Sequence, residues 1–189
     1  MRDEDGYGYT DQRSKVHYTV LDNAFEAARA SQTVFGVYED KKTGLSREFH
    51  AIPDMDSSLF LTDSSSRVYY AGSEPIDAAQ LAFNAVLVCE SDAVSIEVQR
   101  LTLDDNADAV VAIYHLWFDT VSEAELPATS PVLRRRIKLK CREYENLLYC
   151  FDFVLYENGE AYFYDRTVPR TVAVPAEIAS VLYYVEGLS

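Results

Sequence analysis

The sequence predicts an α+β fold, with a curved, mainly antiparallel sheet and two or three helices packed on one face. Three features of its 189 residues point there. Short runs alternate apolar and polar residues at period two, turn-forming residues separate those runs at hairpin spacing, and a few other segments carry helical spacing or capping residues.

Residues 1–13 read as a flexible acidic tail, and 14–189 as a single α+β domain divisible into halves 14–72 and 73–189. In KVHYTVL (15–21), Val16, Tyr18 and Val20 alternate with Lys15, His17 and Thr19, as in a half-buried strand. Asp22 is placed to cap a short helix over NAFEAARAS, because its carboxylate can accept from first-turn amides. Two hairpins follow, TVFGVYE with LSREFHAI around 40–44, and SLFLT with RVYYA around 63–66. In SEPIDAAQLAFNAVLVCE, Ser73 suits an N-cap and Ile76, Ala79, Phe83, Val86 and Leu87 recur at helical spacing, which predicts a helix over 74–90.

Beyond it the chain reads as strands: SIEVQRLTL, an acidic turn DDNAD (104–108), and AVVAIYHLWFD, apolar on both faces. TVSEAELPATSP (120–131) is the longest candidate loop. RRRIKLKCR, LLYCFDFVLYE and the run after Asn158-Gly159 form three consecutive antiparallel strands, the Asn-Gly pair favouring a two-residue type I′ turn. Pro175 opens a closing helix, AEIASVLYYVEG, with Ile178, Val181, Leu182 and Val185 along one side.

Composition excludes several classes. A chain that is 48% hydrophobic, with fourteen Tyr and nine Phe, is too apolar for a disordered segment. No run of about eighteen apolar residues is present, and the charged start lacks the apolar stretch of a signal peptide, so no membrane association is expected and the location is taken as cytoplasmic. Cys89, Cys141 and Cys150 lie in no CxxC or CxxH spacing and read as buried thiols. A net charge of −14 argues against a general nucleic-acid binder and suits docking on a basic partner. No phosphate loop, dinucleotide fingerprint, nucleophile elbow or zinc knuckle occurs, and no cofactor is expected.

Against that charge, residues 134–142 hold six of the chain's seventeen Lys and Arg residues. Strand alternation sends Arg134, Arg136, Lys138, Lys140 and Arg142 to one face and Ile137, Leu139 and Cys141 to the other. Two registers against the next strand are open. One sets the cations opposite Tyr149, Phe151 and Phe153, a basic and aromatic surface able to stack bases. The other gathers the apolar residues together and puts Asp152 among the cations, and it is preferred because a lone carboxylate in the core costs several kcal/mol. A solvated or internally paired face is the plain interpretation. The functional one is a contact surface made of these five cations with exposed Tyr149 and Tyr156, for a protein partner or for a nucleic acid or other phosphate-bearing ligand.

Histidine chemistry has three candidates. His17 reads as a surface residue and His115 as an interior, hydrogen-bonded one on its apolar strand. His50, with Asp54 and Asp56 across a proline turn in HAIPDMD, could form an acid-base pair or hold a divalent metal.

Two functions therefore stand open. The first is a non-enzymatic protein that docks on another macromolecule as an inhibitor, immunity or assembly factor, with homodimerisation through exposed strand edges as a further expectation. The alternative is a small-ligand binder or enzyme with a pocket between the sheet and helix 74–90, containing His115 and lined by Tyr114 or Trp117. Strand-helix-strand order from residues 15 and 73 fits two hot-dog-like halves, the layout of acyl thioesterases and dehydratases, but the chain has no HxxxxG-type turn.

Overall fold

The computed structural model describes residues 8–39, 43–90, 96–121, 124–165, 167 and 170–183. It contains mostly antiparallel, curled sheets and two helices, so the α+β class holds with two sheets in place of one. The chain divides into two compact units, Met1–Leu81 with Glu143–Leu148, and Ala82–Arg142 with Tyr149–Ser189. The division falls after Leu81 instead of residue 72, and 143–148 return to the first unit.

The first unit is built on a six-stranded sheet. Its strands are Gly8–Thr10 (β1), His17–Val20 (β2), Val34–Glu39 (β4), Ser46–Ala51 (β5), Phe60–Asp63 (β6) and Val68–Tyr70 (β7), in the order β1-β2-β7-β6-β5-β4. A short strand, Phe25–Ala27 (β3), bridges to Arg67 through Glu26. Both expected hairpins are present, β4 with β5 and β6 with β7, and Ser66 supplies a left-handed residue at the second turn. Alternation in β2 buries Tyr18 and leaves His17 and Thr19 exposed.

Inward-facing Tyr9, Tyr18, Phe49, Leu61 and Tyr69 form the core of this unit. Tyr9 of β1 meets Tyr38 of β4 edge to face at 5.1 Å, so side chains from the two ends of the sheet touch across its curl. Residues 8–10 are therefore an integral strand with a buried tyrosine, where the sequence suggests a tail. Residues 1–7 lie outside the described residues.

The second unit has a sheet along the path β13-β12-β11-β10-β8-β9. Its strands are Phe83–Glu90 (β8), Glu97–Thr102 (β9), Leu133–Cys141 (β10), Leu147–Leu155 (β11), Ala161–Asp165 (β12) and Arg170–Ala173 (β13). Helix Leu103–Asp119 (α1) lies between β9 and β10, and Ala176–Tyr183 (α2) follows β13. Trp117 of α1 stacks on Phe151 of β11 at 4.3 Å with ring planes 6° apart, and Val110 and Ile113 are buried along the same helix stripe. Arg170 donates to the carbonyls of Trp117 and Thr120 and lies 5.1 Å from the Trp117 ring, so it closes the C-terminal end of α1.

Three segments depart from the sequence reading. NAFEAARAS is not a helix: Asp22 accepts from Ala24 N–H at 3.1 Å in an Asx turn, and the chain runs straight into β3. The segment read as helix 74–90 is a single 3-10 turn, Ala78–Gln80, capped by Asp77, followed by β8. Strand β8 buries Phe83, Ala85, Val86, Val88 and Cys89, on both of its faces. Finally AVVAIYHLWFD belongs to α1, and DDNAD opens that helix: Thr102 accepts from Asp105 N–H at 3.3 Å, and Asp104 and Asp105 sit where the helix dipole favours acids. The helices that the hot-dog layout requires are therefore missing.

The Asn158-Gly159 turn also differs in type. Gly159 alone is left-handed, at φ +86°, while Tyr156 accepts from Gly159 N–H and donates to Glu160. This is the longer hairpin in which an ordinary turn precedes one left-handed glycine. Pro175 accepts from Ile178 and Ala179 at the start of α2, as its position implies.

Removing the Trp117 ring takes away the plate on which Phe151 stacks. Trp117→Ala should lower unfolding free energy by about 3–5 kcal/mol, measured by urea denaturation followed by circular dichroism.

Candidate functional site

Within the first unit, the two ends of the curled sheet leave an open groove of about 400 Å³ between them. One wall is β1 and the turn after it; the other is Phe35, Gly36, Val37 and Tyr38 of β4. Tyr18, Phe49 and Leu61 form the floor. The β1–β2 turn is shaped locally: Asp11 accepts from the backbone N–H groups of Arg13 and Ser14, and Lys15 takes a left-handed conformation at φ 63°. The Ser14 hydroxyl, then the two backbone N–H groups, hold the Asp11 carboxyl below its ordinary range, so the rim of the groove carries an anion. Arg13 stands at the same rim.

In the same sheet, alternation turns Arg47, Tyr69 and Asp63 inward. Tyr69 OH donates to Asp63 at 2.9 Å, Arg47 donates to Tyr69, and Arg47 lies 3.1 Å from the same Asp63 oxygen. The other Asp63 oxygen accepts from Ser65 and Arg67 N–H groups, so this buried carboxylate is fully provided with donors. Burial, followed by the neighbouring Asp63 carboxylate, pushes the Tyr69 phenol up to about 12.

Strand β4 is the end strand on its side of the sheet, and among the described residues no strand pairs with its outer edge. It exposes Val34, Phe35 and Val37 by 41%, 42% and 55%. A bulge at Val34–Gly36 interrupts its pairing with β5. These residues were not singled out by the sequence. The signal available was TVFGVYE itself, a strand-like run with apolar residues on both faces and a central glycine, next to a run whose Tyr18 already pointed inward.

The cationic strand β10 behaves as alternation requires. Ile137, Leu139 and Cys141 are buried, Arg134 and Arg142 are exposed, and Arg136, Lys138 and Lys140 are half-buried. Arg136 donates to Asp152 at 3.0 Å, with the Asp152 side chain 3% exposed, so Asp152 stands with the cations as the segregated register demands. Arg134 donates to Tyr164 OH at 3.1 Å. The two tyrosines assigned to this surface are not exposed. Tyr156 is buried against Tyr162, and half-buried Tyr149 accepts from Trp117 Nε1 amid Phe118 and Phe151.

The histidines are dispersed. His115 is exposed on α1 and pairs with Asp119 one turn on, at 2.5 Å; the interior position expected for it belongs to Trp117. With no helix over 74–90, the pocket expected there has no wall. His50 has Nε2 3.8 Å from Glu48, while Asp54 pairs with Arg29 at 3.0 Å and Asp56 accepts from Ser58 N–H. Among the described residues no three His, Cys, Asp or Glu side chains are grouped to hold a metal. Cys89, Cys141 and Cys150 are buried, and none is in a disulfide.

Two measurements follow from these networks. Because the folded Tyr69 pKa lies above its unfolded value of about 10, its contribution to stability is complete below about pH 10 and lost as pH rises toward 12. Phenolate absorbance should show a late-titrating component near pH 12 that is lost in Tyr69→Phe. Arg136→Ala removes the guanidinium from a buried carboxylate and should cost about 3–5 kcal/mol, whereas exposed Arg134→Ala should cost about 0.5 kcal/mol or less, both measured by chemical denaturation. No family model, no curated protein and no solved structure matches the chain.

Proposed function

We propose that this protein works by docking on another macromolecule, without chemistry of its own, as an inhibitor, immunity or assembly factor. The observation that supports this reading is the β4 edge, which no strand among the described residues covers. Val34, Phe35 and Val37 form an apolar strip at the rim of a sheet, and exposed apolar strand edges are templates for pairing with another chain. Charge is the second support: at −14 the chain attracts a basic partner over distances longer than contact and speeds the encounter.

In this reading the β10 row has a divided role. Arg136 serves the fold through Asp152, while exposed Arg134 and Arg142 are the members offered to a partner or to a phosphate-bearing ligand. No helix among the described residues is long and apolar enough to cross a membrane.

The test is affinity capture from source-cell extract at low and high salt, with wild type, Val37→Lys and the Arg134→Glu/Arg142→Glu pair, and with circular dichroism confirming the fold of each. The expected result is a stoichiometric partner retained by wild type and lost from at least one variant. Capture of nothing at any salt, by a folded wild type, overturns the docking reading.

A further inference from the structure

Taking the docking reading as its basis, we infer that the β1–β4 groove receives an extended, basic peptide segment of the partner, which adds to the β4 edge as a strand and lays a Lys or Arg side chain against the half-buried Tyr38 ring. Four observations carry the inference.

The first is the state of the edge. Native proteins blunt a sheet edge with charged side chains, proline, a β-bulge or a very short strand, and β4 carries the bulge at Val34–Gly36 and one charge, Glu39. Strand β4 runs for six residues, Val34–Glu39, with no proline or lysine in it. Its bulge leaves Gly36 beside open space: a methyl group built on Gly36 would meet nothing within 4 Å. A second backbone therefore has room to approach where the main chain is barest.

The second is the lining. Tyr38 is half-buried and meets the buried Tyr9 edge to face at 5.1 Å, so Tyr38 is the tyrosine at the mouth of the groove. Ring faces attract ammonium and guanidinium groups, most strongly where water is partly excluded. Alternating side chains of an added strand would point by turns into this lining and away from it, which requires cationic residues at alternate positions.

Charge is the third. The rim holds one anion, Asp11, and one cation, Arg13, so the groove itself is close to neutral. The preference for a cation comes from the whole chain, at −14. The fourth bears on the competing occupant, a second copy of this chain joined edge to edge through β4. Two bodies each carrying that charge repel, and the repulsion falls on the copy and not on a basic peptide.

The experiment uses the full chain and fluorescence anisotropy with four labelled peptides of about eight residues: alternating Val and Lys, alternating Val and Glu, and the Val/Lys peptide methylated at alternate backbone nitrogens in each of the two phases. Val37→Lys is the variant, since Val37 is exposed and its replacement leaves the core intact. The expected result is binding of the Val/Lys peptide, weakened at least about tenfold by the switch to Glu, by one of the two methylation phases and by Val37→Lys. Equal binding of the acidic and basic peptides, or indifference to methylation, overturns the inference. So does a concentration-dependent dimer of wild type that Val37→Lys abolishes, which would give the edge to a second copy. If a captured partner is retained equally by wild type and Val37→Lys, the groove assignment fails and the docking reading survives. If neither partner nor peptide binds, both fail.

Discussion

A carboxylate sits inside a strand that is buried on both faces, and the second unit is arranged around that constraint. Asp152 occupies the middle of β11, flanked by Phe151 and Phe153, and its charge is held there by Arg136 of β10. Slipping the two strands by one residue would turn Asp152 toward Ile137 and away from the guanidinium, at the cost of an uncompensated interior charge. The pair thus selects the alignment that presents Ile137, Leu139, Phe151 and Phe153 together. Against that apolar surface Trp117 stacks, and through Trp117 the helix and Arg170 of β13 find their places.

The first unit answers a related problem differently. Its interior also contains a carboxylate, Asp63, but supplies it with a tyrosine hydroxyl, an arginine and two backbone donors drawn from two neighbouring strands and a turn. Around it the rings of Tyr9, Phe49 and Tyr69 contact one another edge to face. Edge-to-face packing favours the ring quadrupoles, and with Tyr9 and Phe49 each 7% exposed and Tyr69 fully buried, these rings fill the interior of the curl.

Much of this was legible in the sequence where one face of a strand is buried and the other is wet. Tyr18 against His17 and Thr19, and Ile137, Leu139 and Cys141 against their basic neighbours, carry a clear period of two. The signal failed where both faces are buried. Strand β8 has apolar residues at nearly every position, so Phe83, Val86 and Leu87 matched a helical period by accident of density. In α1 the reverse occurred: Val110, Ile113 and Trp117 do fall on one helical stripe, but β-branched and aromatic residues dominate the segment and their strand preference masked it. The acids of DDNAD read as a turn because their partner is the end of a helix dipole, which has no sequence signature without the helix. The groove was invisible for another reason: it depends on β1 and β4, distant in sequence, being brought opposite each other by the curl of a sheet.

The return of 143–148 to the first unit has a consequence for synthesis. Asn146 is buried there, donating to the Pro53 carbonyl at 2.7 Å and accepting from Ala28 N–H, and Tyr144 packs on Phe60. None of these contacts can form when residue 81 leaves the ribosome. At roughly 5–20 residues per second, several seconds pass before the missing segment is made, and longer before it clears the exit tunnel. Throughout that interval the nascent first unit lacks part of its own interior, and a chaperone holding the emerging chain would find its binding surface there.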